Sequence, residues 1–157
     1  MTAMPALNVR PARNSDLKEL VRLRALLWPD ASVEEHSQEV ALILKDGMCG
    51  TQPAAIFVLE GDNESVIGFL DVDLRSHADG CDPVRPAGYV EGWFVEEPFR
   101  HRGLGRKLVR AAEDWARGQG CREIASDTWI DNEGSQRAHE ALGFEVVDRC
   151  VHYRKWL

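Results

Sequence analysis

The sequence has no pair of cysteines or histidines at the spacing of a metal site or a redox site. The four cysteines, Cys49, Cys81, Cys121 and Cys150, are scattered, and neither Cys-x-x-Cys nor His-x-x-x-His occurs. These absences argue against a zinc site and against a disulfide framework. Because scattered cysteines are typical of a reducing compartment, we expect reduced thiols, no bound metal and a cytoplasmic location.

Long apolar runs and a surplus of positive charge are also missing. No uncharged apolar run approaches the roughly 20 residues that span a bilayer, and Met1–Arg10 lacks the basic start and apolar stretch of a secretory signal. The net charge of −7 is opposite to that of a nucleic-acid-binding face. We therefore expect neither a membrane nor a nucleic acid as partner. The charge is compatible with a cationic substrate, although solubility explains it equally well.

What is present is the composition of one globular domain, with 44% hydrophobic and 29% charged residues in a chain of 157. We predict a single domain over 1–157. In chain order, the patterns predict a strand near Val9, helices over 17–28 and 32–44, a hairpin of strands 54–60 and 66–74, a strand over 87–95, a helix over 103–119, a strand over 123–129, a short helix over 135–142 and a strand-rich end over 144–156. An antiparallel half followed by a βαβ half predicts an α/β (α+β) fold, with a mixed central sheet and helices on both faces.

The most informative stretch is Arg100-His101-Arg102-Gly103-Leu104-Gly105-Arg106-Lys107, between a predicted strand and a predicted helix. Glycines let backbone N–H groups approach a ligand without an intervening Cβ. Those groups and the positive end of the helix dipole attract anionic oxygens. The stretch does not match the Gly-x-x-x-x-Gly-Lys-Ser/Thr pattern of a nucleoside-triphosphate loop, and it lacks the third glycine of a dinucleotide fold. It therefore predicts a pyrophosphate-binding turn.

The same stretch resembles a known family signature. Arg100-x-x-Gly103-x-Gly105 is similar to the Arg/Gln-x-x-Gly-x-Gly/Ala motif of the GNAT family of N-acetyltransferases. Asn132 and the segment Ala141-Leu142-Gly143-Phe144 resemble that family's Asn…Leu-Gly-Phe segment. The resemblance covers about Val9 to Trp156. It implies the GNAT fold, in which strands 87–95 and 123–129 splay apart, acetyl-coenzyme A enters the gap, and an amine attacks its thioester.

The resemblance also implies roles for single residues. The backbone of Trp93, Phe94 and Val95 would pair with the pantetheine arm, and the Val95 N–H would donate to the thioester oxygen. Asn132 would contact the same arm. Many family members carry a Tyr general acid where this chain has His139, so His139 is either the acid or a packing and cofactor-contact residue. The pyrophosphate contacts would come from Arg100, His101, Arg102, Gly103, Leu104, Gly105 and Arg106.

Within the family, the sequence resembles the aminoglycoside 6'-N-acetyltransferases. The stretches that carry this likeness are Leu26–Pro29, Asp79–Asp82, Glu91–Val95, Cys121–Thr128, His139–Phe144 and Arg149–Lys155. The likeness implies acetylation of the 6'-amine of aminoglycoside antibiotics, hence resistance to them, and a homodimer. The alternatives are an acetyltransferase for another small amine or a protein N-terminus, and a non-catalytic acyl-coenzyme A sensor.

A polycationic aminosugar requires several acids, each pairing with an ammonium group. Glu91 and Asp127 would lie at the cleft ends of the two splayed strands, where they could also take up the proton of the amine, directly or through water. Asp148 matches a substrate contact of the subgroup, and Trp28 could form a flat wall for a sugar ring. The last two candidates, His77 and Asp79, lie in a Gly/Pro-rich loop where some relatives carry an aromatic residue.

Overall fold

The computed structural model describes residues 7–157. The segment Met1–Arg10, in which no secretory signal was predicted, therefore lies partly outside the described residues. Short 3-10 turns precede α1, follow β3 and follow β5. The described elements are β1 (Asn8–Pro11), α1 (Leu17–Leu27), α2 (Val33–Asp46), β2 (Met48–Cys49), β3 (Gln52–Glu60), β4 (Val66–Arg75), β5 (Ala87–Val95), α3 (Leu104–Gly118), β6 (Ile124–Ser126) and α4 (Glu133–Ala141). Only the two-residue β2 has no counterpart in the sequence prediction.

The strands form one six-stranded mixed sheet in the order β1-β3-β4-β5-β6, with β2 paired to the start of β3. All pairs are antiparallel except β5 with β6, which are parallel. This is the predicted antiparallel half joined to a βαβ half. No helix in the described part of the chain combines the length and the apolar character needed to cross a membrane.

Helices α1 and α2 cover one face of the sheet. A capping box opens α2, where Ser32 Oγ accepts from the Glu35 N–H at 3.1 Å and the Glu35 carboxylate accepts from the Ser32 N–H at 2.7 Å. Gly47, at φ 64°, closes the helix in the left-handed conformation. The buried side chains on this face are Leu20, Leu23, Val40, Ile56, Val58, Val66 and Phe69.

Helix α3 covers the opposite face, which confirms the predicted layers. Its apolar stripe follows the helical period, so one side of the helix is buried against the sheet. The buried side chains here are Leu59, Ile67, Leu70, Val72, Val90, Leu104, Leu108, Val109 and Ala112.

A β-bulge bends β5 in the middle of the sheet. Asp71 lies opposite Gly92 and the next residue, Val72, lies opposite Val90, so Glu91 is the extra residue between them. An extra residue leaves the ladder, bends its strand and redirects its side chain. The sequence indicated this position only through the charge of Glu91 and the glycine after it.

The predicted strand over 123–129 is wrong in extent, because β6 spans only Ile124–Ser126. Its ladder with β5 has three pairs and ends at Val90 and Ser126. Beyond this last pair the bent β5 and the chain after β6 separate, which is the predicted splay. A residue that has no neighbouring strand cannot make ladder hydrogen bonds, so the second half of the predicted strand is irregular.

The prediction of a strand-rich C-terminus is also wrong for this chain taken alone. Residues 144–157 contain no strand or helix. Phe144 packs against the α3 side of the core, but Val147, Val151 and Tyr153 are exposed by 61%, 72% and 92%. β-propensity expresses packing against neighbouring strands, and no strand of the described chain pairs with this segment.

Candidate active site

The gap between β5 and β6 exposes backbone N–H groups of β5. The Glu96 N–H donates to the Ile67 carbonyl of β4 at 2.9 Å. Successive residues of an antiparallel strand direct their N–H groups to opposite sides, so the Val95 N–H points away from β4 and into the gap. Arg100 Nε donates to the Val95 carbonyl at 2.6 Å. The Val95 N–H, which was predicted to donate to the thioester oxygen, is therefore free to donate to a ligand on the side away from β4.

The turn after β5 leads these N–H groups to the start of α3. His101 and Gly103 are both left-handed, at φ 62° and 74°, which reverses the chain within a few residues. Gly103 is the N-cap residue of α3, and no side chain caps the helix. Because the first N–H groups of a helix have no acceptor within it, this uncapped end can bind anionic oxygens. The turn can therefore bind anionic oxygens, and pyrophosphate binding there stays a prediction.

The basic side chains of the turn lie close to the protein surface. Arg100 stacks on Phe94 at 5.3 Å, and Arg102 lies 6.0 Å from the Phe99 ring. Arg106 donates to the Ala141 carbonyl at 3.4 Å. Direct contacts of these guanidinium groups with a phosphate stay a prediction, since each would have to leave its present partner.

Gly105 is required for the contact between α3 and β5. A Cβ at Gly105 would lie 2.9 Å from Cζ2 of Trp93, a separation that side chains do not tolerate. Trp93 is also in contact with His139, with ring centroids 5.3 Å apart. The absence of a side chain at Gly105 therefore lets Trp93 lie against the helix start beside the gap.

We predict that Gly105→Ala weakens coenzyme A binding by about 10-fold, because a shift of Trp93 that costs about 1.4 kcal/mol corresponds to that ratio. Gly118→Ala is the matched control, since a Cβ there meets nothing within 4 Å. It should leave binding unchanged and stabilise α3 by about 0.5–1 kcal/mol. Calorimetric titration with coenzyme A and thermal unfolding measure both effects. Equal affinity in the two variants would contradict the role given to Gly105.

Glu91 is held beside the gap by an arginine. Arg75 Nε and Nη2 donate to Oε1 of Glu91 at 3.0 and 2.6 Å, and the Arg75 guanidinium stacks on Tyr89 at 3.5 Å. Burial raises the pKa of Tyr89, and the neighbouring carboxylate of Asp127 raises it further. The structure thus brings the two predicted acids to the same region, with Arg75 and Tyr89 between them.

The sequence interpretation missed the acids that continue from Glu91 toward the helices. Asp71 and Arg24 are 5% and 4% exposed and form an ion pair, and Arg24 also pairs with Glu39 of α2. The signal was present, because Asp71 and Asp73 alternate in the apolar strand Val66–Arg75 and so share a face. A buried carboxyl without a function or a partner is costly.

These groups form a polar row across the α1/α2 face of the sheet. The row holds five carboxyl groups against two guanidinium groups, so it attracts cations. Within residues 7–157 no three His, Cys, Asp or Glu side chains are grouped to hold a metal ion. The members of the row, which we call the acidic row, are Glu39, Arg24, Asp71, Asp73, Arg75, Glu91, Tyr89 and Asp127.

Two carboxyls of the acidic row have raised pKa values. Burial raises the pKa of Asp71 to about 6, against the opposing effect of Arg24. Burial and the adjacent Glu91 raise the pKa of Asp73 to about 7. Oδ1 of each is buried without a hydrogen-bond partner. The row therefore contains a carboxyl that exchanges its proton near neutral pH, directly beside Glu91.

We predict that Asp73→Asn stabilises the protein at about pH 8 and has a smaller effect at about pH 5. The pKa of Asp73 is raised on folding, so its contribution is favourable at low pH and is lost as pH rises through about 7. The gain at pH 8 should be about 1–2 kcal/mol, less than the full shift implies because water screens a half-buried carboxyl. Thermal unfolding against pH measures it, with exposed Asp30→Asn as control. An equal gain at both pH values would show that the charge of Asp73 is not the cause.

His139 lies on α4 at the edge of the gap. Its Nδ1 is 2.7 Å from the Ser135 carbonyl and its Nε2 is 2.8 Å from Ser126 Oγ. Its ring contacts Trp93 and Phe144 edge-on, each with centroids 5.3 Å apart. Both sequence interpretations of His139 remain compatible with this position, because the imidazole is packed and is also hydrogen-bonded.

Trp28, which was predicted to form a wall for a sugar ring, follows the end of α1 and packs partly buried against the core. Its indole lies against Gly92, where a Cβ would clash, and contacts Phe69 at 6.1 Å. The Arg24 guanidinium lies 4.8 Å from the indole centroid. Trp28 therefore adjoins the residue after Glu91, and its role as a wall stays a prediction.

The remaining predicted residues lie outside the acidic row. His77 and Asp79 are exposed by 66% and 78% and lie 3.6 Å apart. Asp148 is exposed and accepts from the Arg149 N–H at 2.7 Å. Asn132 Oδ1 caps α4 by accepting from the Ser135 N–H at 3.0 Å, and its amide NH₂ can still donate to a ligand. Their substrate and cofactor contacts stay predictions.

Comparison with known proteins agrees with this geometry. Residues 20–144 match the model of the acetyltransferase (GNAT) family. The chain is 38% identical over 147 residues to an aminoglycoside N(6')-acetyltransferase type 1 of Klebsiella aerogenes, covering 94% of this chain and 95% of that protein. It is 36% identical over 150 residues to a protein of the same name from Salmonella enteritidis, covering 95% and 99%.

Solved structures give the same result. The aminoglycoside N-acetyltransferase AAC(6')-Iy in complex with CoA superposes with a TM-score of 0.89 at 35% identity, over 99% of this chain and 98% of that chain. A second structure of AAC(6')-Iy, with the bisubstrate analogue CoA-S-monomethyl-acetylneamine, has a TM-score of 0.86 at 36% identity, over 96% and 99%. In that second structure, one ligand joins a CoA portion to an acetylneamine portion.

Proposed function

Because the chain belongs to the acetyltransferase (GNAT) family, we propose that it transfers the acetyl group of acetyl-coenzyme A to the 6'-amine of aminoglycoside antibiotics and so confers resistance to them. The observation that carries this function is the position of the acidic row, which begins at the gap where β5 leaves its Val95 N–H free. Similarity to 6'-N-acetyltransferases over nearly the whole length supports it.

The residues around the gap fit acetyl-coenzyme A. The bare helix start at Gly103 suits a diphosphate, and the Trp93–Val95 edge suits an amide-containing arm added as a strand. The cofactor supplies an activated acetyl thioester. The Val95 N–H would donate to the oxygen that gains charge during transfer.

The acidic row would hold and deprotonate the cationic substrate. Glu91, fixed by Arg75, is the base that takes the proton of the reacting amine, directly or through water. Asp127 pairs with an ammonium group of the sugar, and Asp73 receives or shares the proton beside Glu91. Fixed geometry between the two substrates contributes much of the acceleration.

A thiol-release assay tests the function. Purified protein with acetyl-coenzyme A should release free thiol on addition of kanamycin or tobramycin, and mass spectrometry should find one added acetyl group at the 6'-amine. A 6'-hydroxyl analogue is the matched control and should release none. Thiol release with polyamines or peptides but not with 6'-amino aminoglycosides would contradict the proposal and favour another amine. Binding of coenzyme A without thiol release on addition of any tested amine would favour the non-catalytic acyl-coenzyme A sensor.

A homodimer is the second part of the proposal. The C-terminal segment 144–157 exposes large apolar side chains without a strand partner, and exposed apolar segments of this kind mark interaction sites. Light scattering should give twice the chain mass of 17.6 kDa. Val151→Lys with Tyr153→Lys should shift the protein to monomer, whereas Val84→Lys in an exposed loop should not. A monomeric wild type would contradict this part alone.

The proposed location is the cytoplasm. The four cysteines are free, and free scattered thiols suit a reducing compartment. Fractionation of a bacterium that expresses the chain tests the location. Recovery in a periplasmic or secreted fraction would contradict it.

A further inference from the structure

The two acids beside the gap both lie where regular strand pairing is interrupted. Glu91 is the extra residue of the β-bulge in β5. Asp127 is the first residue after β6, whose ladder with β5 ends at Ser126. Regular ladder hydrogen bonds fix the backbone of a strand residue and with it the direction of the side chain. The regular ladder holds neither acid, so the positions of the two carboxylates depend on their side-chain contacts.

Tyr89 lies on the last regular rung before both interruptions. It pairs with Asp73 of β4 on one side and with Ala125 of β6 on the other. Glu91 and Asp127 each follow this rung by two residues, one on each strand. Tyr89 is 7% exposed, so its ring is packed and its backbone is bonded from both sides. It is therefore a fixed point next to the two acids.

The ring of Tyr89 supports the arginine that binds Glu91. The Arg75 guanidinium stacks on the ring at 3.5 Å from the centroid, and its Nε and Nη2 donate to Oε1 of Glu91 at 3.0 and 2.6 Å. The Arg75 side chain is 40% exposed and has several rotatable bonds, so one ion pair alone would restrict it weakly. Stacking on a buried ring holds the planar guanidinium in one orientation. The Glu91 carboxylate is fixed together with it.

The hydroxyl of Tyr89 contacts the second acid. Ala125 packs against Tyr89, and side chains two residues apart on a strand share a face, which places Asp127 on the same side. Burial raises the pKa of the Tyr89 phenol, and the charge of the Asp127 carboxylate and a hydrogen bond to it raise the pKa further. The phenol therefore keeps its proton and is the donor, and the carboxylate is the acceptor.

We propose that Tyr89 is a positioning residue for both substrate-binding acids, because its ring holds Arg75 against Glu91 and its hydroxyl holds Asp127. The proposal rests on the proposed function, in which Glu91 deprotonates the reacting amine, directly or through water, and Asp127 pairs with an ammonium group. Tyr89 touches neither the cofactor nor the reacting atoms. It fixes the spacing of two carboxylates that must match two amines of one substrate, and such fixed spacing contributes to both affinity and rate.

Two variants of Tyr89 separate the role of the ring from that of the hydroxyl. Tyr89→Phe keeps the stack with Arg75 and loses only the hydroxyl, so KM for the aminoglycoside should rise by about 5- to 10-fold while kcat changes by less than about twofold. Tyr89→Leu loses both contacts, so kcat should also fall, by about 10-fold or more. An unchanged KM in Tyr89→Phe, or equal kcat in the two variants, would overturn the proposal.

Double variants test whether Tyr89 acts through its two partners. Arg75→Met should lower kcat about as far as Tyr89→Leu, and the two changes together should lower it no further. In the same way, adding Tyr89→Phe to Asp127→Asn should raise KM no further than Asp127→Asn alone. Additive effects in either pair would contradict the role given to Tyr89.

Arg117→Met is the matched control for Arg75→Met. Arg117 also pairs with an acid, Asp114 at 2.9 Å, but at an exposed position of α3, so its kcat and KM should equal those of the wild type. Coenzyme A affinity, measured by calorimetric titration, should stay at the wild-type value in both Tyr89 variants. A parallel loss of that affinity would assign the effect to the fold instead. If thermal unfolding shows that Tyr89→Leu does not fold, Tyr89→Phe and Arg75→Met carry the comparison.

Carbon NMR of the free protein gives a readout that does not depend on activity. The chain has two tyrosines, Tyr89 and Tyr153, so a label at the oxygen-bearing ring carbon gives two resonances, which Tyr153→Phe assigns. The Tyr89 resonance should move in Arg75→Met and in Asp127→Asn but not in the exposed control Asp30→Asn. A resonance that either of the first two changes leaves in place would refute the proposal. If the wild type acetylates no aminoglycoside, the proposed function fails, whereas the NMR result still decides whether Tyr89 holds the two groups.

Discussion

Glu91→Gln should lower kcat/KM for an aminoglycoside by about 10²- to 10⁴-fold, the contribution typical of a positioned general base. Glutamine has nearly the same shape, and its oxygen can still accept from Arg75, which now donates to Glu91 at 3.0 and 2.6 Å. The amide cannot take up a proton. The fold and the coenzyme A site should therefore remain, and only the deprotonation of the amine should be lost.

Steady-state kinetics measures kcat/KM for the aminoglycoside, and calorimetric titration with coenzyme A measures the affinity for the cofactor separately. Glu19→Gln is the control, because Glu19 is also paired with an arginine, Arg22 at 2.9 Å, but on the outer side of α1. Its activity should equal that of the wild type. A loss of coenzyme A affinity as large as the loss of activity would indicate a folding defect. Nearly normal activity in Glu91→Gln would transfer the role of base to Asp127 or Asp73.

The sequence predicted the features that depend on local chemistry. The helix predicted over 32–44 and the turn before α3 each depend on a few neighbouring residues, such as the capping box at Ser32–Glu35, and the fold reproduces both. Glu91 was found because a charge in an apolar strand needs a reason. Family resemblance added the gap between β5 and β6, which the short ladder confirms.

The features that the sequence missed depend on distant parts of the chain. The length of β6 is set by where the bulged β5 bends away, and the state of residues 144–157 is set by whether a neighbouring strand exists. Asp71 and Asp73 were read as ordinary strand residues, because their burial and their partners come from α1, α2 and β5. Two acids that alternate within an apolar strand, as Asp71 and Asp73 do, are the sequence pattern that indicates a buried row of carboxyl groups.

Arg24→Met should destabilise the fold by about 3–5 kcal/mol, the usual cost of leaving a buried charge without its partner. Asp71 and Arg24 are 5% and 4% exposed, and one oxygen of Asp71 already lacks a hydrogen bond. Methionine fills the space of the arginine stem but offers no charge. Such a loss is a large part of the roughly 5–15 kcal/mol by which a domain is stable, so denaturant unfolding should detect it clearly.

The pH dependence of this loss identifies its cause. The folded pKa of Asp71 is raised to about 6 even with Arg24 present, so its contribution to stability is favourable at low pH and is lost as pH rises through that value. Without Arg24 the ionised carboxylate of Asp71 is still less favourable, and Arg24→Met should be more destabilising at about pH 8 than at about pH 5.

Adding Asp71→Asn to Arg24→Met should restore stability at the higher pH, because the amide carries no charge. Arg22→Met is the control, because it removes the pairs of Arg22 with Glu19 and Glu96 and a 3.3 Å hydrogen bond to the Val66 carbonyl but leaves no fully buried charge. It should cost no more than about 1–2 kcal/mol at either pH. A pH-independent loss in Arg24→Met would instead assign the effect to packing beneath Trp28.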